Sequence, residues 1–256
     1  MDEEDEELIK ENLAKITAAS TYVMEISGQL VLNFKEAVAK MVKDNLLTFF
    51  AMNLEGYKKL SESEQLDATC FFCDFVEFAH HTDVKMLSEL NVKFLEIFNN
   101  TDSMDVKQTL VYGMGVFASF MPSATYVTVL PNVMQALNSM ITAPDAFSED
   151  NVIATEGALG ALGKIIYSQR DNTIITDAVV TKFISHLPLT HEEEEAKKTH
   201  RLFFLNILTN NANLMNEATK PHVVTAIAKI REAAAHNEQE LTLVDEEGMV
   251  LLNKLQ

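Results

Sequence analysis

Two cysteines have the spacing found in redox and zinc proteins. Cys70 and Cys73 enclose two phenylalanines, and the chain has no other cysteine. In a redox protein this pattern lies at the start of a helix, where the helix dipole lowers the thiol pKa. Here it lies in the middle of a predicted helix, between apolar residues. A zinc site would need further ligands, for which His80 and His81 are near in sequence. The pattern therefore favours two core thiols over a metal or redox site.

A run of histidine and glutamate gives a weaker chemical signal. His191 is followed by glutamates at residues 192–195, and His200 comes later. The zinc-protease motif places two histidines four residues apart around a catalytic glutamate, whereas Glu195 stands where the second histidine should be. Residues 157–163 echo a dinucleotide loop, but the glycine spacing is wrong and no predicted strand precedes them. No other catalytic motif is present. We therefore predict a protein that is not an enzyme, with no cofactor, metal or catalytic residue.

Charge excludes several classes of partner. The 256 residues include 20 basic and 38 acidic side chains, which gives a net charge of −18 at pH 7. Nucleic acids and anionic membrane surfaces both select clustered Lys and Arg, so neither is an expected partner. Residues 108–144 are uncharged, but Pro122 and Pro131 interrupt them, and we predict buried helices there rather than membrane insertion. A basic protein partner fits this charge.

Composition and apolar spacing predict an all-α fold. Eight Gly and five Pro are few for a protein of many short strands. Apolar residues instead recur every three or four positions, which is typical of helices. We predict an acidic head at residues 1–7 and a single repeat domain at residues 8–256. One predicted helix begins after a cap at Ser63, and the helix at about 192–210 begins after a cap at Thr190. The other predicted helices span about 8–33, 36–54, 84–98, 104–120, 124–141, 149–168, 176–185, 221–236 and 244–255.

Three segments align with one another at a period of 40 to 46 residues. They begin at Leu66, Val106 and Val152, and a fourth segment from Ala196 fits at most positions. Helix pairs of this length are typical of HEAT and armadillo arrays. We therefore predict an alpha-alpha superhelix, a HEAT/armadillo-like solenoid of about five to six antiparallel helix pairs. Glycines inside the predicted helices, each costing about 1 kcal/mol relative to Ala, indicate close approach of neighbouring helices. They are Gly113, Gly115, Gly157, Gly160 and Gly163.

Four motifs, taken in order, resemble the C-terminal HEAT repeats of the importin-beta (karyopherin) family. They read CDFVE at residues 73–77; VKQ at 106–108 with YGMGV at 112–116; EDNVIATE at 149–156 with GKI at 163–165; and LPL at 187–189 before the glutamate run. The similarity is clearest from about residue 22 to residue 196. The acidic head resembles an acidic insertion that precedes these repeats in the family. The chain departs from the family pattern in lacking Trp and in its tail after Asn210.

The resemblance implies a segment of a longer, non-catalytic nuclear import receptor. In the family, second helices of the pairs line a concave cargo surface, and Phe-Gly nucleoporin repeats bind in slots between first helices. The implied partners are protein cargo with basic signals, Phe-Gly nucleoporins and, in the full-length receptor, the Ran GTPase. The implied location is cytoplasm and nucleus, with shuttling through the nuclear pore. The alternative is a HEAT-repeat scaffold subunit of another protein assembly.

Only candidate contact residues can be named within this resemblance. Glu89 and Glu96 lie on a predicted second helix and are the candidates to face cargo. Phe78, Phe117 and Phe120 lie on predicted first helices and are the candidates to line nucleoporin slots.

Overall fold

Regular structure is helical throughout the part of the chain that is described. The computed structural model describes residues 3–45, 47–79, 83–235 and 241–255, and these contain α-helices, one 3-10 turn and no strand. The predicted all-α helical-repeat fold class is confirmed. The α-helices are α1 (Glu3–Phe34), α2 (Glu36–Asn45), α3 (Leu47–Glu55), α4 (Glu62–Phe78), α5 (Val84–Phe98), α6 (Met104–Phe120), α7 (Ser123–Tyr126), α8 (Leu130–Ile141), α9 (Val152–Ser168), α10 (Asp177–Ser185), α11 (Glu193–Leu208), α12 (Lys220–Ala235) and α13 (Glu246–Asn253).

The chain divides into two compact units, Met1–His81 and Thr82–Gln256. In the N-terminal unit, α1 packs against α2 and α4, and α3 packs against the same two helices. The phenylalanines of α4 form much of the buried interior of this unit. The Phe71 ring lies 5.4 Å from the Phe72 ring and 6.0 Å from the Phe75 ring. On α1, Met24 and Val31 are buried.

The C-terminal unit has two layers of helices. In the first layer, α6, α9, α11 and α13 follow one another, each packed against the previous one. The second-layer helix α5 packs against α6 and α8, α8 against α6 and α9, and α10 against α9 and α12. Each helix therefore contacts mainly the helices of its own and the adjacent repeat, as in a solenoid of helical repeats.

Small residues permit the predicted close approach between neighbouring helices. A Cβ added at Gly115 of α6 would lie 2.7 Å from the Cα of Ala161 in α9. These two residues occupy the same position in the alignment of the repeats. A Cβ added at Gly163 would lie 3.1 Å from the ring of Phe183 in α10. The contacts explain why these helices contain glycine, which is otherwise unfavourable there.

Both predicted caps are wrong. The hydroxyl of Ser61, not Ser63, accepts a hydrogen bond from the Glu64 backbone N–H at 3.3 Å, and the Glu64 carboxylate accepts the Ser61 backbone N–H at 2.8 Å. Only Ser61 has a glutamate three residues later, as this reciprocal cap requires. At α11 the Glu192 carboxylate, not Thr190, caps the helix by accepting the Glu195 backbone N–H.

One predicted helix is two helices in the structure. The segment predicted at 124–141 is divided into α7 and α8, and Pro131 lies in the first turn of α8. Proline has no N–H to donate, so it is tolerated in a first turn but not in a helix interior. The segment predicted as a helix at 36–54 is helical at Glu36–Asn45 and Leu47–Glu55, and residue 46 lies outside the described residues.

Candidate functional site

A cleft of about 510 Å³ opens at one edge of the C-terminal unit. Its lining comes from the end of α5 and the loop to α6, and from the end of α8 and the loop to α9. Both loops follow a second-layer helix and lead into a first-layer helix. Because the repeat brings equivalent loops to the same edge, residues far apart in sequence line one cleft.

The lining combines apolar side chains with two carboxylates. Phe98 and Met140 are buried lining residues, while Asp102 and Asp145 lie in the two loops. The Asn151 side-chain amide donates to the Asp145 carboxylate at 3.0 Å and fixes its position. This combination fits a lysine or arginine of a partner, whose aliphatic stem covers apolar surface while its cationic head meets carboxylates.

One cation of the chain itself already lies at the cleft. Lys107 is a lining residue, and its Nζ lies 5.8 Å from the centroid of the Phe98 ring. A lysine at this distance is attracted by the negative face of an aromatic ring. The cleft therefore accommodates an ammonium group beside Phe98 in the unliganded protein.

The two glutamates predicted to face cargo are exposed on α5 but do not line this cleft. Each already pairs with a lysine of its own helix. Glu89 lies 3.8 Å from Lys85, and Glu96 accepts a hydrogen bond from Lys93 at 2.8 Å. These exposed pairs stabilise the helix only weakly and reduce the local negative charge.

The three phenylalanines predicted to line nucleoporin slots differ in burial. Phe78, in the N-terminal unit, and Phe120, in the C-terminal unit, are half-buried at the ends of α4 and α6. Phe117 is fully buried, and its ring lies 5.0 Å from that of Phe94. Phe117 is therefore a core residue in this structure, while the other two retain some exposed surface.

Sequence reasoning missed Asp102 and Asp145. Both lie in segments that were predicted as loops, and they are 43 residues apart, which is within the repeat period. Equivalent loops of a helical repeat meet at one edge. A comparison of the acids in equivalent loops, rather than of those on one helix, could have identified these two residues.

A buried ion pair joins α9 to α11. Lys164 Nζ donates to the Glu195 carboxylate at 2.5 Å, and both side chains are almost wholly buried. The Thr199 hydroxyl donates to the same carboxylate at 3.3 Å. A Cβ added at Gly160 would lie 1.7 Å from Glu195 Oε1, so glycine provides the space for the carboxylate. Lys164 Nζ also lies 4.4 Å from the centroid of the Tyr112 ring, which extends the joint to α6.

The histidine and glutamate run makes structural contacts with α9. The buried Glu156 carboxylate accepts the backbone N–H groups of Thr190, His191 and Glu192 at 2.7 to 3.0 Å. His200 is fully buried. Its Nδ1 donates to the Leu243 carbonyl at 2.8 Å, and its Nε2 accepts the Leu189 N–H at 3.1 Å.

These two hydrogen bonds require the neutral ring of His200. Burial is the largest effect and lowers the pKa of His200 to about 4, although the Leu243 carbonyl and Glu156 act in the opposite direction. The ring is therefore uncharged at neutral pH, with its proton on Nδ1.

The cysteine pair lies within α4, where Cys70 is exposed and Cys73 is buried. Among the residues that the structure describes, no three His, Cys, Asp or Glu side chains are grouped so as to hold a metal ion. His80 and His81, the sequence neighbours considered as zinc ligands, lie outside those residues. No described helix is both long and apolar enough to cross a membrane.

Side-chain amides link the ends of successive first-layer helices. Gln169, which follows α9, donates to the carbonyls of Ala118 and Met121 at the end of α6, at 2.6 and 3.0 Å. Asn211, which follows α11, donates to the carbonyl of Ile166 in α9 at 3.4 Å. The last carbonyls of a helix lack partners within the helix. The amides therefore satisfy them and join one repeat to the next.

Comparison with known proteins gives a modest similarity to an importin subunit. No protein-family model matches the chain. Importin subunit beta-3 of Saccharomyces cerevisiae is 23% identical over 182 residues. The match covers 71% of this chain and 16% of that protein, so the chain spans a small part of its relative's length. Together with the helical-repeat fold, this similarity supports a relationship to importin-type proteins.

Proposed function

We propose that this chain is a non-catalytic segment of a nuclear transport receptor of the importin-beta type, and that it binds protein cargo for import. The observation that carries this proposal is the similarity to importin subunit beta-3 over 71% of the chain. It is supported by the stacked helices of the C-terminal unit, since repeat proteins offer extended surfaces for protein partners. The segment corresponds to C-terminal HEAT repeats of such a receptor, with residues 8–256 acting as one solenoid domain.

Cargo contacts the receptor through basic side chains. The net charge of −18 attracts a basic segment at long range. At short range the cleft supplies Asp102 and Asp145 beside Phe98 and Met140. Glu89 and Glu96 add exposed negative groups on α5. A Lys-rich or Arg-rich import signal matches this combination of carboxylates and apolar surface.

The remaining partners are those of a receptor that shuttles between cytoplasm and nucleus. Phe-Gly nucleoporin repeats insert their aromatic rings at separate grooves beside the half-buried Phe78 and beside the half-buried Phe120, while Phe117 lies in the core. The Ran GTPase acts on the full-length receptor. Grooves between helices suit inserted aromatic side chains.

Two titrations of the whole chain test this function. The first uses a Phe-Gly repeat peptide and, as control, the same peptide with every Phe replaced by Ala. The second uses a Lys-rich import-signal peptide with the wild-type chain and with an Asp102→Asn, Asp145→Asn variant. We expect saturable binding that is lost with the Phe→Ala peptide. We also expect the charge-neutralised cleft to bind the basic peptide several-fold more weakly.

Asp171→Asn is the control for Asp102→Asn and for Asp145→Asn measured singly, because it removes one charge as each of them does and Asp171 is an exposed loop acid that does not line the cleft. It changes the net charge without touching the proposed site. Equal weakening by Asp171→Asn would mean that only overall charge matters and would contradict the cleft. Absence of binding to both peptides would contradict the transport function and favour a scaffold subunit of another assembly.

A further inference from the structure

Lys107 places a positive charge of this chain inside the cleft that we propose for a partner's cation. Its side chain is half-buried and lines the cleft together with Asp102 and Asp145. Its Nζ lies 5.8 Å from the ring centroid of the buried Phe98, a distance at which the ring attracts an ammonium group. In the free protein, the apolar side of the cleft therefore already carries a cation.

Lys107 has no acidic partner at helical spacing in its own segment. Helical lysines commonly pair with an acid three or four residues away. On α5, Lys85 pairs in this way with Glu89, and Lys93 pairs with Glu96. The corresponding positions around Lys107, residues 103, 104, 110 and 111, are Ser, Met, Leu and Val. The sequence therefore leaves Lys107 to interact outside α6, and the ring that it reaches belongs to the cleft.

The two carboxylates of the cleft remain open to a second cation. Asp102 and Asp145 are exposed, and Asp145 accepts a hydrogen bond at 3.0 Å from the amide of Asn151, an uncharged partner. In the part of the chain that the structure describes, neither carboxylate forms an ion pair with Lys107. A basic side chain that enters is attracted by these carboxylates and repelled by Lys107. Like charges in a partly buried cleft repel more strongly than in bulk water.

We propose that Lys107 is an internal competitor for the cation site of the cleft: it occupies the site in the free protein and leaves it when a basic side chain of the partner binds. Its flexible aliphatic stem and half-buried position allow the ammonium group to move into solvent. The inference rests on the proposed function, since it uses the same cleft. It adds that the charge of Lys107 lowers the affinity of the free protein for basic partners.

NMR of the whole chain with isotope-labelled lysine tests the position of Lys107 in the free protein. The ring current of an aromatic side chain shifts the signals of nearby protons, so the terminal methylene signal of Lys107 should differ from those of exposed lysines. The signal is identified by its absence from Lys107→Arg, and its shift should disappear in Phe98→Leu. Addition of an unlabelled Lys-rich import-signal peptide should return the signal towards the position of exposed lysines, because the side chain leaves the ring.

Titration with the same peptide tests the competition. Lys107→Met removes the charge but keeps much of the stem, and we expect it to bind the peptide about three- to tenfold more tightly than the wild type. Lys107→Arg keeps the charge and should bind no more tightly than the wild type. Lys229→Met is the matched control, because it makes the same change in net charge at an exposed residue of α12 that does not line the cleft. Circular dichroism checks that each variant keeps its helix content.

The outcomes separate this inference from the proposed function. If the Asp102→Asn, Asp145→Asn variant weakens binding but Lys107→Met does not strengthen it, the cleft function stands and the competition is overturned. Weaker binding by Lys107→Met, or equal strengthening by Lys229→Met, would also overturn the competition, because Lys107 would then contact the partner or act only through net charge. An unshifted Lys107 signal in the free protein would overturn it without any peptide. Failure of both the wild type and Lys107→Met to bind would contradict the proposed function and the competition alike.

Discussion

The two units differ in how many hydrogen-bond donors surround their buried and half-buried carboxylates. In the C-terminal unit, Glu195 accepts hydrogen bonds from Lys164 and Thr199, and Glu156 accepts three backbone N–H groups. In the N-terminal unit, Asp67 Oδ2 is buried without a hydrogen-bond partner. Burial, followed by the nearby charge of Glu25, raises the pKa of the Asp67 carboxyl, and a hydrogen bond with the Thr21 side chain acts in the opposite direction. The carboxylates of Glu195 and Glu156 therefore have several hydrogen-bond donors, whereas at Asp67 burial and Glu25 outweigh the hydrogen bond with Thr21.

The helices that meet at these carboxylates differ as well. In the C-terminal unit, a Cβ added at Gly115 or Gly160 would collide with the next first-layer helix. In the N-terminal unit, a Cβ added at Gly28 of α1 would lie 3.5 Å from the Asp74 carboxylate, an ordinary contact distance. Close contact and satisfied polar groups together specify one packing arrangement. We therefore expect the joint between α9 and α11 to tolerate substitution less well than that between α1 and α4.

The largest effect is expected when the ion pair between α9 and α11 is broken. Glu195→Gln keeps the size of the side chain but leaves Lys164 buried without a counter-charge. Removing one partner of a buried pair typically costs about 3–5 kcal/mol. We expect a loss of this order in the free energy of unfolding, measured by urea denaturation.

A double variant separates lost charge pairing from lost packing. Lys164→Met combined with Glu195→Gln removes both charges and keeps similar volumes, so most of the lost stability should return. Replacement of a buried pair by neutral residues is often close to neutral in free energy. If the double variant is as unstable as Glu195→Gln alone, the ion pair is not the cause of the loss.

His200 should make the C-terminal unit sensitive to mild acid. The folded pKa of His200 is about 4, below its ordinary value of 6.5. The unfolded chain therefore binds a proton between these values while the folded chain does not, and stability falls as pH decreases from 6.5 towards 4. The full loss is on the order of 3 kcal/mol, at about 1.4 kcal/mol per unit of pKa.

The measurement compares urea denaturation at pH 7 and pH 4.5 for the wild type and for His200→Gln, which cannot take up the proton. The variant should lose less stability on acidification, because the other acidic groups are common to both proteins. Where the variant does not fold, NMR of the wild-type histidines gives the same information. A His200 ring that titrates near pH 6.5 in the folded protein would contradict the expectation.

The fold could be predicted from sequence because its signals are local. Apolar spacing predicted α5 and α6 at the residues where they occur, and the repeat alignment put Gly115 and Ala161 at equivalent positions before the structure brought them together. Caps were less predictable. Ser61 and Ser63 are both good capping residues, and only the glutamate three residues after Ser61 distinguishes them.

The site was less predictable because its residues meet only after the helices stack. Asp102 and Asp145 come from different loops, and nothing in either loop alone indicates the other. Lys164 lies among apolar residues and Glu195 ends a run of glutamates, and the alignment of single segments does not pair them. The exposure of Glu89 and Glu96 was predictable from helix position, but their pairing with neighbouring lysines reduces their value as contacts.

The smallest effect, and the one that tests the comparison most directly, is expected at Asp67. Asp67→Asn makes the same change as Glu195→Gln, from carboxylate to amide, but it should stabilise the protein. A raised pKa means that the folded state disfavours the charge, so stability contributed by the protonated form is lost as pH rises through the folded pKa. Removing the charge removes that loss at pH 7. Because Asp67 is only half-buried, solvent screening limits the gain to about 1 kcal/mol or less.

The sign of the Asp67 effect matters more than its size. Urea denaturation of Asp67→Asn at pH 7 should show a small gain, and the gain should shrink at pH values below the ordinary pKa of aspartate, where the wild-type carboxyl is also neutral. Glu62→Gln, an exposed acid in the first turn of the same helix, controls for the change in net charge. Acids near a helix N-terminus are favourable, so this control should not stabilise. Destabilisation by Asp67→Asn would mean that both units use buried carboxylates in the same way, as joints between helices.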